Sequence, residues 1–505
     1  MSQDGFGCLP NELVEKVFGY LTVDDLCHVT LCGRSWRESA NQDALWRPFC
    51  RWKGWEHYGT MSDLCKEVPL KPNSPEQKTG EGGAPTFPVD AVVTGSDWPG
   101  LVDTCKWKEV YMKARHLEGN WRNNRYHVSS FEFGSAGYRE WLFEYIGPGP
   151  EPLVCNMAGE GDCLAVGISI GTMQIWDVSN CKRRHLIQVN VSEAPDALKM
   201  KDGIIAAGCK DGKIRTFSAQ TGEQLQVMSG HRLPVLRLFF DGNTIVSTAY
   251  KEYRKNEVYA DSDIRVWSAA DGCCRYNLQS GSVGRRLDDL DYKDKIVAGA
   301  YNDKTIRVWN ADSGSRIQQF TVQARDLLSC HLGDGIVIGA YDGNVVMVWS
   351  LESGDCIKTF DVPGNYSEKY GKLLDRARSY TFNGALLLST SCNNHMRLLD
   401  LNGKFLGDSR PYSNEFNFEP IVFRGNKLVA ADLSGGANHL WSVDQDGFHY
   451  IKEVRRIMFD DEVTVRYSVA WMSETKLAFV TYVDFESFEQ GITEQIPIII
   501  VHHYW

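Results

Sequence analysis

The chain has 505 residues, of which 43% are apolar and 24% charged, a composition that supports a sizeable core and excludes wholesale disorder. Its 54 Lys and Arg against 65 Asp and Glu leave a net charge of −11, which argues against a generic binder of nucleic acid or of anionic membrane. The longest apolar runs, such as Ile496 to Val501, are too short to span a bilayer, and residues 1–10 lack a basic start followed by an apolar stretch, so neither a membrane span nor a signal peptide is expected. Fifteen scattered cysteines without a C-x-x-C pair read as reduced thiols, the pattern of a cytoplasmic or also nuclear protein.

In chain order, residues 5–52 read as a small all-α module. Leu9 and Pro10 open a helix with proline in its first turn, where the missing N–H matters little. Leu13, Val14, Val17, Phe18 and Leu21 mark an apolar face, and Thr22 to Asp25 reads as the cap of a second helix that carries Leu26 and Val29 inward. Trp36, Leu45, Trp46 and Phe49 continue the apolar set. Residues 53–100 read as a linker, because positions 69–88 hold five prolines and three glycines among polar residues. A helical pattern returns over 101–125, with Val110, Met112, Trp107 and Trp121.

From 126 to 505 the pattern is all-β and periodic. Seven short segments end in a bulky anchor: Trp176, Phe217, Trp267, Trp309, Trp349, Leu399 and Trp441. Successive anchors lie 41, 50, 42, 40, 50 and 42 residues apart, near the period of about 40–45 residues of a four-stranded propeller blade. An apolar run precedes each anchor, as at 204–208, 296–300 and 335–339, and a polar turn such as Lys210-Asp211-Gly212 or Asp342-Gly343-Asn344 joins the two as a hairpin. Runs apolar on both faces need a neighbouring sheet on each side, so the repeats must stack in a ring. Three strands near 465–471, 476–483 and 497–505, with a fourth from 138–146, would close that ring without a free edge and make eight blades, seven being the alternative.

These residues resemble the WD-repeat family, strongly in period and weakly in signature. The Trp-Asp pair stands at an anchor once, at Trp176-Asp177, and the Gly-His pair once, at Gly230-His231. The resemblance implies a buried hydrogen-bonded set of His231, Ser247, Asp263 and Trp267 in one blade; Ala206 and Ala298 are read as the positions that lack the hydroxyl elsewhere. The N-terminal module resembles an F-box through Leu9-Pro10-Asn11-Glu12-Leu13, Tyr20-Leu21, Asp25-Leu26, Cys32 ahead of Ser35-Trp36, and Leu45-Trp46-Arg47. By that resemblance Leu9, Pro10, Leu13, Val17, Leu26 and Trp36 would line the contact with a Skp adaptor, which docks on a cullin scaffold. The alternative is that Leu13, Val17 and Trp36 fill the module's own core. A module of this size buries little surface alone, which favours an outside partner.

The combined architecture resembles F-box/WD-repeat substrate receptors of Skp–cullin–F-box ubiquitin ligases. It implies a non-catalytic subunit that holds a target protein on the propeller and the ligase through the F-box; a non-degradative interaction scaffold is the alternative. Loops at the propeller mouth offer Arg232, Tyr250, Arg285, Arg286, Tyr301, Arg325, Tyr341, Arg376 and Arg378 as the target-binding set. Arginines there suit a phosphorylated target through bidentate hydrogen bonds; local pairing with Asp288, Asp289 or Asp326 is the other reading. Arg215, Arg265, Arg307 and Arg397 recur within the anchor strands and read as stems packed on an adjacent blade.

Nothing catalytic emerges. Gly167 to Gly171 matches G-x-S-x-G, but a second strand follows it where a nucleophile elbow needs a helix. The twelve histidines show no metal-ligand spacing, and no phosphate-binding glycine motif sits between a strand and a helix. No catalytic residue, cofactor, metal, nucleic acid or membrane partner is expected.

Overall fold

The computed structural model describes residues 11–61, 64, 104–132, 154–169, 171–188, 195–249, 264–278, 286–321, 326–363, 366–367, 372–373, 377–391, 395–409, 418–432, 438–444, 446–454, 469–487 and 492–505. The chain divides into two compact units, Met1–His127 with His503–Trp505, and Val128–His502.

The first unit is helical. Its helices are α1 (Asn11–Phe18), α2 (Val23–Cys32), α3 (Arg34–Ala40), α4 (Asp43–Trp52) and, after a 3-10 turn at Glu56–Thr60, α5 (Lys106–Arg122). A reciprocal cap starts α2: the Asp25 amide donates to Thr22 Oγ1 at 3.2 Å, and the Thr22 amide donates to Asp25 Oδ2 at 3.2 Å, with the Thr22 hydroxyl also donating to that carboxylate at 2.6 Å. Those hydrogen bonds hold the Asp25 carboxyl below its ordinary value. Val110, Ala114, Leu117 and Trp121 recur at helical spacing and are the buried stripe of α5. The start of α5 is fixed by side chains from the α3–α4 region. The amide of Cys105 donates to Asn41 Oδ1 at 2.8 Å, and that of Trp107 to Asp43 Oδ1 at 2.9 Å. Tyr504 closes the other end, stacking on Trp121 with ring centroids 3.5 Å apart, while Asn120 Nδ2 donates to the Tyr504 carbonyl at 2.8 Å.

The second unit is an eight-bladed propeller. Seven blades are four-stranded antiparallel sheets in sequence order, at residues 154–188, 195–228, 235–278, 287–321, 327–361, 377–408 and 418–454. The eighth joins Ala470–Met472, Lys476–Ser487 and Ile492–His503 to an outer strand from the other end of the chain, His127–Glu132. That outer strand replaces the one expected at 138–146, which lies outside the described residues. The purpose inferred for it stands, because a strand from each end shares one sheet.

Core clusters straddle the seams between blades, as period-two strands with two apolar faces require. Ala165 and Ile175 of blade 1 pack with Ile205 and Phe217 of blade 2, and Ile338 and Val346 of blade 5 with Leu387 and Leu399 of blade 6. Val154 and Val166 of blade 1 meet Trp471 and Ile499 of blade 8, which closes the ring. Carboxylates stitch the inner strands as well: Asp289 pairs with Arg237 of blade 3 and accepts the Cys330 amide of blade 5 at 3.0 Å. Asp291 accepts the Leu332 amide at 2.8 Å. Each innermost strand has an unpaired edge, and here the neighbouring blade satisfies it.

Strand register corrects two readings of the sequence. Ser247 faces Arg265, two residues before the Trp267 anchor. The corresponding positions in blades 2 and 4 are Ala207, opposite Arg215, and Gly299, opposite Arg307, rather than Ala206 and Ala298. A one-residue offset moves a strand side chain to the opposite face. The recurrent arginines are also more than packed stems. Arg215 holds Asp211 with two bonds of 3.0 and 2.8 Å, and Arg307 reaches Asp303 at 2.6 Å. Both guanidinium groups are buried and lock the turn carboxylate four residues upstream.

Candidate functional site

The helical unit offers the first candidate surface. On α1, Val14 and Phe18 turn inward, and Phe18 stacks on Trp36 with centroids 5.9 Å apart. Leu13 and Val17, also four residues apart, form the adjacent stripe and are 49% and 44% exposed. Tyr20, Leu31 and Trp52 are exposed too, at 85%, 76% and 77%. Apolar side chains gathered on one small helical unit, beside a core that is already filled, are what a partner-binding face requires.

Of the six residues expected at an adaptor contact, Leu13 and Val17 are presented and Trp36 is half-buried against Phe18. Leu26 is a correction. It is fully buried and supports the module from within. Leu9 and Pro10 lie outside the described residues. Tyr20, Leu31 and Trp52 were missed as surface residues: an apolar residue near the end of a short helix reads as core until its neighbours are placed.

The propeller mouth is the second candidate surface. Tyr301 and Tyr341 were expected to reach a target there, and the structure corrects both. Each is fully buried, with its ring edge-on to the anchor of its own blade, Trp309 at 6.3 Å and Trp349 at 6.1 Å. Burial raises both phenols well above their ordinary range. Their turn positions suggested the surface, but each ends an inner strand whose last side chain packs sideways. Arg286 is exposed, yet its Nε donates to Asp288 Oδ1 at 2.5 Å. Burial raises the Asp288 carboxyl even against that cation. The local-pairing alternative therefore describes Arg286. Arg232 is exposed. Arg378 is the second residue of the inner strand Ala377–Phe382 of blade 6, while Tyr250, Arg285, Arg325 and Arg376 lie outside the described residues.

Inside blade 3 the expected hydrogen-bonded set is largely present. Trp267 Nε1 donates to Ser247 Oγ at 2.8 Å, and His231 Nε2 lies 2.8 Å from the same oxygen; Asp263 lies outside the described residues. Among the described residues, no group of three or more His, Cys, Asp or Glu could hold a metal ion, and no helix is long and apolar enough to cross a membrane.

Residues 6–52 match the F-box-like family model. The human F-box only protein 48 is 41% identical over 46 residues, 9% of this chain and 30% of the relative. The "Probable E3 ubiquitin ligase complex SCF subunit sconB" of Arthroderma otae is 24% identical over 186 residues, 34% of this chain and 23% of that protein. The "WD repeat-containing protein srw1" of Schizosaccharomyces pombe is 24% identical over 161 residues, 31% of this chain and 27% of the relative. The matches thus span between about a fifth and a third of the length of these relatives. A solved structure, the computationally designed Ika8 protein, superimposes with a TM-score of 0.51 at 19% identity, covering 69% of this chain and 97% of that one, which supports the fold alone. The chain therefore joins an F-box-like module to an eight-bladed propeller with WD-repeat periodicity.

Proposed function

We propose that this chain is the substrate-recognition subunit of a Skp–cullin–F-box ubiquitin ligase. The observation that carries the proposal is the exposed Leu13 and Val17 stripe on α1, in a module that matches the F-box-like family model and whose core is complete without those residues. Leu13 and Val17 dock the Skp adaptor, with Trp36 steadying α1 through its stack on Phe18. The cullin is reached through that adaptor. The propeller captures the target, with Arg232 exposed on the loop that leads into the inner strand Val235–Phe240.

The mechanism is proximity. The chain forms no bond with ubiquitin; it holds the target's lysines near a charged conjugating enzyme and so raises their effective concentration. The capped start and clamped end of α5 stiffen the helical unit itself. The test is a ligase reconstituted with adaptor, cullin and conjugating enzyme. Proteins captured on the propeller should be ubiquitinated with the intact chain and not with a chain lacking residues 1–60. Adaptor binding without ubiquitination or accumulation of any captured protein would favour a non-degradative scaffold.

A further inference from the structure

One edge of the propeller departs from the rest. The outer strand of blade 1, Lys182–Gln188, reads Lys-Arg-Arg-His-Leu-Ile-Gln and pairs with its own blade on one side only. Lys182, Arg183 and Arg184 are all exposed, and Leu186 is 42% exposed. The register slips between His185 and Arg183, so Arg184 is the extra residue of a bulge. Asp177 takes the Arg184 guanidinium at 2.5 Å. Among the described residues, neither Lys182 nor Arg183 has an ion-pair partner. His185 is held by the next blade, its Nε2 lying 2.8 Å from the Gln220 carbonyl.

Cations on an exposed edge can simply discourage sheet-to-sheet aggregation. The other blades argue against that need here. Their outer strands, Gln224–Met228, Cys274–Leu278, Arg316–Thr321, Cys356–Asp361, Phe405–Asp408, Gly447–Val454 and His127–Glu132, each carry one Lys or Arg or none. Three consecutive cations on a single edge, in a chain of net charge −11, are a local feature that asks for a local counter-charge.

We propose that Lys182–Gln188 is a docking edge for an extended, acidic segment of a partner protein, which adds to blade 1 as a fifth strand. Main-chain hydrogen bonds to the free edge supply the pairing, the exposed Leu186 takes an apolar side chain, and carboxylates at one end of the segment meet Lys182 and Arg183. A short segment touches only this strand. A nucleic-acid backbone would extend its charge beyond this strand over a chain of net charge −11, which disfavours it. The edge shares no residue with the α1 stripe or with the loops of the propeller mouth.

Fluorescence anisotropy on the full chain tests this. The probes are labelled ten-residue peptides that alternate Val and Thr and carry three Asp or Glu at one end or the other. Binding should weaken about tenfold or more in Lys182→Glu/Arg183→Glu, and fall steeply between low and physiological salt. The same peptide N-methylated at alternate residues should lose binding to the unaltered chain, a readout that no folding defect can mimic. Equal binding of the N-methylated peptide would overturn strand addition. Unchanged affinity in the charge-reversed chain, absence of binding by either peptide, or tighter binding of a duplex DNA of equal charge would overturn the proposal as a whole.

Discussion

Replacing Ser247 with alanine isolates what the hydrogen-bonded set of His231, Ser247 and Trp267 contributes to blade 3. Ser247 is fully buried, and its Oγ is 2.8 Å from both Trp267 Nε1 and His231 Nε2. Without it the indole N–H is left in an apolar seam with no acceptor. That loss costs about 1–3 kcal/mol, and the missing bond to His231 adds about 1 kcal/mol, so Ser247→Ala should destabilise blade 3 by about 2–4 kcal/mol. Blade 6 supplies the control. Ser389 occupies the same register position, opposite Arg397, but the anchor there is Leu399. The Ser389 hydroxyl is buried with no protein partner among the described residues. Ser389→Ala should therefore stay within about 0.5 kcal/mol of the parent or gain slightly. The two units need not unfold together, so the readout is amide hydrogen exchange in Thr244–Ala249 and Ile264–Ser268 for blade 3 and in Leu386–Ser391 for blade 6. A Trp267→Phe background should remove part of the Ser247→Ala penalty. Equal losses at Ser247 and Ser389, or an undiminished penalty in that background, would refute the reasoning.

Tyr504→Ala deletes the ring stacked 3.5 Å from Trp121 and leaves a cavity beside α5; the helical unit should lose about 3–5 kcal/mol, seen as faster amide exchange along Lys106–Arg122. Acid should weaken the seam between blades 3 and 4. Burial raises the Asp241 carboxyl, but hydrogen bonds from Lys295, Tyr292 and the Thr244 and Asn243 amides outweigh it and hold its pKa at about 2, below its ordinary 3.8. Its stabilising contribution is complete above that ordinary value and disappears as pH falls through about 2. Exchange protection at Thr244 should follow this course, and Asp241→Asn should flatten it.

The ring was legible because its cause is local and repeated. Each blade writes an apolar run, a polar turn and a bulky anchor at nearly constant spacing, and strands apolar on both faces can only stack. Blade 8 was harder. Its outer strand, His127–Glu132, pairs with chain more than three hundred residues away, and no local signal marks that pairing. The α2 cap was legible, since a Thr three residues ahead of an Asp states its hydrogen bonds in sequence. Burial was not. Leu13 and Leu26, Tyr301 and Arg232 carry the same kind of pattern, yet two of the four face solvent. The difference lies in which neighbour fills the space, and that depends on register and on distant residues. The clamp of Tyr504 on Trp121 was invisible for the same reason, and the basic edge of blade 1 became meaningful only once its strand proved to be outermost.

The most direct measurement is the affinity of purified Skp adaptor for the full chain, compared with Leu13→Asp/Val17→Asp. Both positions are about half exposed, so the altered chain should keep its thermal unfolding profile while adaptor binding falls by about a hundredfold or more, the scale of truncating a central apolar hot spot. Equal binding by the two chains, or no binding by either, would contradict a receptor that grips its ligase through this face of α1.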